Sequence, residues 1–104
     1  MARTYSLACP VARALDVIGD RWTILILRDL FLHKTRRFQD FQASLTGLAP
    51  SVLSTRLKEL DRSGVVASRI YVDHPPRPEY FLTPKGRDLG PVLMALKAWG
   101  EKYA

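Results

Sequence analysis

Residues 47–64, GLAPSVLSTRLKELDRSG, constrain the fold more than any other stretch, because they encode the start, the stop and the period of one helix. Pro50 suits the first helical position, where a backbone N–H has no intrahelical use. Gly64 suits the place just past the end, where a left-handed cap is often needed. Leu53, Leu57 and Leu60 follow i, i+4, i+7 spacing and must face a core. At about 100° per residue, Ser51, Thr55, Lys58 and Arg62 fall on the opposite side with Ser54 beside them. Glu59 and Asp61 lie off the centre of that face. Such a helix lies on a body along one stripe and presents small hydrogen-bonding and cationic groups along the other.

The neighbours give that helix a context. Phe38 to about Leu45 reads as a compact helix, and Thr46-Gly47-Leu48 as the turn between the two. After Gly64, VVASRIYV is β-branched and aromatic and reads as a strand. DHPPRP at 73–78 is expected to be irregular, since three prolines remove donors and fix φ. EYFLT then forms a second short strand. A helix, a glycine turn, a helix and a hairpin with a basic tip make a winged helix-turn-helix, mainly α with a small β-hairpin wing. The expected boundaries are about 38–63 for the helix-turn-helix, about 65–83 for the wing and about 84–103 for a C-terminal helix.

Upstream, residues 1–7 read as a loose arm. Cys9-Pro10 opens a first helix with Val11, Ala14, Leu15 and Ile18 on one side, and Gly19 closes it. Asp20 can cap a second helix running to about Leu32. That helix carries Trp22, Ile24, Leu25, Ile26, Leu27 and Leu30, apolar nearly all round, and is expected to be the central buried one. Arg36-Arg37-Phe38 reads as a short edge strand. Downstream, Thr83-Pro84 starts the last helix, and Gly90-Pro91 should kink or break it by removing the bond to the Arg87 carbonyl. Its seam of Leu93, Leu96, Trp99 and Tyr103 has no room in the core of so small a domain. The first and last helices are therefore expected to join two copies in a symmetric dimer, placing the two exposed-face helices about 34–36 Å apart, one DNA turn.

At 104 residues the chain 1–104 fits a single domain. The formal charge is +6, and between Lys34 and Arg77 eight cations face four carboxylates. That balance favours a polyanionic partner, here double-stranded DNA. Ser51, Ser54 and Thr55 can donate or accept at base edges, and Lys58 can reach a guanine edge or a phosphate. Arg62 extends the same face. Arg36 and Arg37 precede a helix N-terminus, where phosphate is favoured. Arg56 flanks the apolar stripe, so a phosphate contact and an internal ion pair are both open. Arg77 at the wing tip can enter the minor groove, its alternative being a salt bridge to Glu79.

Enzyme chemistry finds no support, and no cofactor or metal is expected. His33 and His74 lack metal-ligand spacing, and no glycine-rich phosphate loop or serine elbow occurs. A single cysteine excludes an intrachain disulfide. No apolar run approaches the roughly 20 residues of a membrane span, so a cytoplasmic protein is expected. The other functional class is a winged helix used as a protein-interaction module without DNA binding. Salt separates the two, since DNA affinity falls steeply with ionic strength.

A family likeness runs from Cys9 to Trp99. Cys9-Pro10-Val11, Ile18-Gly19, Trp22-Thr23, Ile26-Leu27-Arg28, Arg37-Phe38, Gly47-Leu48, Leu53-Ser54, Arg56 to Leu60, Gly64, Tyr71, Pro75-Pro76-Arg77, Glu79-Tyr80, Leu82-Thr83, Gly86 and Trp99 together resemble the HxlR-type transcriptional regulators, winged-helix relatives of the MarR group. The resemblance implies a bacterial homodimeric DNA-binding regulator, repressor or activator. It also implies a recognition helix in the major groove, a wing at the minor groove and terminal dimerisation helices. Two positions depart from the pattern. Ala49 stands where the family usually caps the recognition helix with a hydroxyl, a loss of about 1 kcal/mol. Ser68 stands where the family tends to carry arginine, and the adjacent Arg69 points to the other face of the strand. Some family members sense oxidants or electrophiles through a cysteine placed like Cys9. At a helix N-cap the partial positive charge favours a thiolate, while packing as a small hydrophobe is the other role open to it.

Overall fold

The stripe of Leu53, Leu57 and Leu60 does face a core, burying against Ile26, Leu27, Leu30 and Phe41. Each such side chain contributes roughly 1.5–3 kcal/mol on burial. The computed structural model describes residues 9–104, and the loose arm expected over 1–7 lies outside them. The elements run α1 (Pro10–Ile18), α2 (Arg21–Leu32), β1 (Arg36–Arg37), α3 (Phe38–Ser44), α4 (Pro50–Arg62), β2 (Val66–Asp73), β3 (Pro76–Leu82), α5 (Pro84–Arg87) and α6 (Gly90–Tyr103).

The punctuation residues act as expected. Cys9 and Asp20 are the N-caps of α1 and α2, and Gly47 and Gly64 hold φ of 91° and 75°. At the end of α4, Gly64 N–H donates to the Asp61 carbonyl and Val65 N–H to the Leu60 carbonyl. This pair of bonds is the Schellman arrangement and turns the chain straight into β2. Ala49 caps the other end of α4 with no side-chain bond. Thr83 caps α5 through its hydroxyl, which accepts from Gly86 N–H. Gly86 is buried so tightly that an added Cβ would overlap the Val65 carbonyl. Lys85 reaches back to the Ser63 carbonyl at 2.7 Å, tying α5 to the end of α4.

Helix α2 is central but not fully enclosed. Ile26, Leu27 and Leu30 are buried, whereas Phe31 and Leu32 are exposed. Too few elements exist to surround one helix in a domain of this size. The break in the C-terminal helix falls at the expected place: α5 ends at Arg87, and α6 restarts with Pro91 in its first turn.

The sheet is antiparallel in the order β1-β3-β2. Its inner face carries Val66, Leu82 and Tyr80, whose ring lies 6.1 Å from that of Phe41. The proline-rich tip differs from expectation. Only His74 and Pro75, joined by a cis peptide, form the turn, and Pro76 and Pro78 belong to β3. The reason is the length of β1, which pairs with only Tyr80 and Glu79. Beyond them the outer side of β3 is an open edge, where a missing N–H forfeits no ladder bond. A register shift between Ile70 and Val72 leaves Tyr71 as an extra residue that bends the wing.

Candidate nucleic-acid interface

Ser51, Thr55, Lys58 and Arg62 are exposed along one side of α4, with Ser54 half-buried beside them. The opposite side is the leucine stripe, so the helix cannot roll to hide these groups without exposing its core contacts. The Thr55 hydroxyl donates to the Ser51 carbonyl at 2.9 Å. Its remaining capacity is as an acceptor, and its methyl group stays outward. Asp61 is also exposed, off the centre of the polar stripe.

The two arginines of β1 part company because strand side chains alternate. Arg37 is paired with Glu79 in the sheet and lies 4.1 Å over the ring of Tyr71. That stacking holds its guanidinium near the wing with five donors still usable. Arg36, paired with Tyr80, turns inward instead. It donates to the Asp29 carboxylate at 3.2 Å, and its side chain is 17% exposed. The expectation that Arg36 faces phosphate is therefore corrected, since the buried Asp29 claims it. Asp29 also accepts from Ser44 at 2.9 Å and pairs with Arg28 at 3.4 Å, joining α2 to β1 and α3.

Arg56 resolves likewise. Its guanidinium reaches Asp20 at 2.9 Å and Glu59 at 3.5 Å, with 13% of the side chain exposed. Of the two roles open to it, the structure places it in the internal ion pair and off the outward face. Arg77 stands exposed in β3 next to the tip. Its alternative partner Glu79 is taken by Arg69 at 3.1 Å. Arg69 also lies over Phe81, on the opposite face of β2 from Ser68.

Asp20 carries an electrostatic signature of this arrangement. Burial alone would raise its carboxyl, but hydrogen bonds from Arg56, Thr23 N–H and Trp22 N–H, with the Arg56 charge, hold it below its ordinary 3.8. Folded Asp20 thus binds a proton less readily than unfolded Asp20. Its contribution is complete above the unfolded value near 4 and is lost as pH falls through the lower folded value. The stability gap between the parent and Asp20→Asn should be constant from about pH 7 to 5 and close below about pH 4. Thermal unfolding across that range checks it, and a gap unchanged at pH 3 would remove the ionised pair from the explanation.

Cys9 is exposed, its sulfur accepting from Ala12 N–H at 3.4 Å. On α6, Leu93 packs against the core while Leu96, Trp99 and Tyr103 stay 51%, 63% and 64% exposed. The Trp99 and Tyr103 rings lie 5.3 Å apart, tilted by 46°. Leu15 and Ile18 of α1 and Val92 and Leu96 of α6 line one shallow groove, so the two terminal helices share a surface. Among the described residues, no helix is long and apolar enough to cross a membrane.

Local spacing does not disclose the pairings that Asp20, Asp29 and Tyr71 make. Asp29 offers a faint signal, as the lone acid in the run ILILRDLFL, which is apolar but for it and Arg28. Tyr71 offers none, because its meeting with Arg37 depends on strand pairing.

A polar helix beside a basic hairpin, both held on a small helical body, defines a winged-helix DNA-binding protein. The model of the HxlR-like helix-turn-helix family matches residues 17–104, and the chain belongs to that family. It is 41% identical over 95 residues to the HTH-type transcriptional regulator YdeP of Bacillus subtilis, covering 91% of this chain and 73% of that protein. The HTH-type regulator sll1512 of Synechocystis is 37% identical, with 91% and 70% covered. Among solved structures, the redox regulator HypR in its oxidized form superposes with a TM-score of 0.85 at 34% identity, covering 92% of this chain and 98% of its own. The protein is a DNA-binding transcriptional regulator, a non-enzymatic class.

Proposed function

We propose that this regulator is a cytoplasmic, single-domain homodimer that reads a pseudo-palindromic operator with α4 in successive major grooves. The observation that carries the reading is the exposed stripe of Ser51, Thr55, Lys58 and Arg62, opposite three buried leucines. Arg37 on Tyr71 and Arg77 at the wing reach the flanking backbone and minor groove. The α1 and α6 surfaces, with Leu96, Trp99 and Tyr103, join the subunits.

The groups divide into those that read and those that attract. Lys58→Ala and Arg77→Ala should weaken operator binding without lowering stability. Losing Arg77 should affect specific and random DNA about equally and flatten the salt slope by about one ion. Thr55→Ala should instead lower discrimination at one base position by roughly 1–3 kcal/mol. Titrations of operator and scrambled duplexes at several salt concentrations separate these outcomes. Parent-like binding by all three variants would show that the face is misassigned.

Cys9 extends the reading to redox control. It is exposed at the head of α1, the helix whose other end, at Leu15 and Ile18, lines the groove shared with α6. Oxidation to an intersubunit or mixed disulfide would alter that surface and the spacing of the two reading helices. DNA affinity should fall on diamide treatment and recover with dithiothreitol, while Cys9→Ser stays insensitive. A parent protein whose binding ignores diamide would leave Cys9 as the N-cap of α1 alone.

A further inference from the structure

A DNA-reading α4, the assignment on which this inference rests, must be held at one rotation about its own axis. Its attachment to the body is chiefly the leucine stripe, and apolar packing is non-directional. With side-chain tips about 5–6 Å from the axis, a roll of about 20° moves them by about 2 Å. Base contacts need a tolerance nearer 0.5 Å.

One polar linkage spans α2 and α4 with the required directionality. Asp20 is held on α2 by its own capping bonds, its Oδ1 accepting from Trp22 N–H at 2.8 Å and Thr23 N–H at 3.2 Å. Its Oδ2 accepts from Arg56 Nη2 at 2.9 Å, and Arg56 Nη1 is steadied by Glu59 one turn along α4. Arg56 and Asp20 are only 13% and 20% exposed, so salt screens the pair weakly. Arg56 adjoins Thr55 in the chain and precedes Lys58 by two residues.

We propose that Asp20 and Arg56 are positioning residues for sequence reading: their ion pair fixes the roll of α4 against α2 and so aims Thr55 and Lys58. Neither touches DNA. Phosphate contacts are long-range and tolerate a small roll, whereas base contacts do not. Loss of the pair therefore reduces discrimination and spares general affinity.

The experiment uses a duplex that the parent protein enriches from a random-sequence pool, and a scrambled duplex of equal length. Asparagine caps a helix as well as aspartate does, so Asp20→Asn removes the charge and keeps α2 intact. Arg56→Met keeps an unbranched stem of similar length. Both should bind the enriched duplex at least about tenfold more weakly, bind the scrambled one like the parent, and keep the parent's salt slope. Arg56→Lys, which restores a cation opposite Asp20, should recover much of the lost discrimination. From the pair variants themselves, any of three results overturns the proposal. In the first, both variants match the parent on both duplexes. In the second, both lose affinity for the two duplexes together, in step with a lowered Tm. In the third, Arg56→Met alone weakens both duplexes and cuts the salt slope by about one ion, which makes Arg56 a phosphate contact. Thr55→Ala is the control for the underlying assignment of α4. If it loses discrimination while Asp20→Asn does not, α4 reads DNA without this pair. If the parent enriches no sequence, the assignment itself falls and takes the proposal with it.

Discussion

Trp99→Asp is expected to convert the proposed dimer to a monomer and to lower operator affinity by at least about 100-fold. Val92, Leu96, Trp99 and Tyr103 follow i, i+4, i+7, i+11 spacing on the 14-residue α6, and no residue of that helix is buried. Val11 and Leu15 add exposed apolar surface on α1. A contiguous apolar patch of this kind on a small domain marks an association surface. A charge at its centre would be left without a partner on assembly, which is strongly unfavourable. Trp99 is 63% exposed within one subunit, so the folded monomer should survive. The loss on DNA follows from avidity: two half-sites held together bind about 10²–10⁴-fold more tightly than one. Light scattering and operator titration at matched concentration test this. A parent protein that is monomeric at tens of micromolar, or a Trp99→Asp variant that stays dimeric, would refute it.

Asp29→Leu should have the largest effect on stability, about 3 kcal/mol, near the low end for breaking a buried ion pair. Asp29 is 2% exposed and accepts from Arg36 and Ser44, so its loss leaves a mostly buried guanidinium and a hydroxyl unmatched. Arg36 retains a little solvent contact, which keeps the cost from the top of the range. Replacing both partners removes the stranded charge, and such double replacements are often neutral. The pair Asp29→Leu with Arg36→Met should therefore regain more than half of the loss. Urea unfolding at fixed protein concentration measures both, since the stability of the proposed dimer would depend on concentration. A single variant within about 0.5 kcal/mol of the parent would mean that the node contributes little.

How much of the fold is legible in the chain depends on how local each determinant is. The ends of α4 are legible, because Pro50, Gly64 and the leucine period act within a few residues of one another. The same holds for Asp20 capping α2 and Pro91 breaking the last helix. The Ser51, Thr55, Lys58 and Arg62 stripe follows from the same period. By contrast, Pro76 and Pro78 look incompatible with a strand, and only the brevity of β1 makes an edge that accepts them.

The amino-acid sequence by itself determined where helices start and stop, which stripe of α4 is apolar, and that the middle of the chain is cationic. These follow from backbone sterics, capping and side-chain period, all of which act over one or two turns. Only the tertiary structure decided which cations stay available. Arg36 and Arg37 are neighbours in the chain, yet strand alternation buries one on Asp29 and stacks the other outside on Tyr71. Arg56 sits on the same helix as Lys58, but a carboxylate 36 residues away turns it inward. A partly buried arginine must take the carboxylate that the fold brings to it, and that meeting is not written in local spacing.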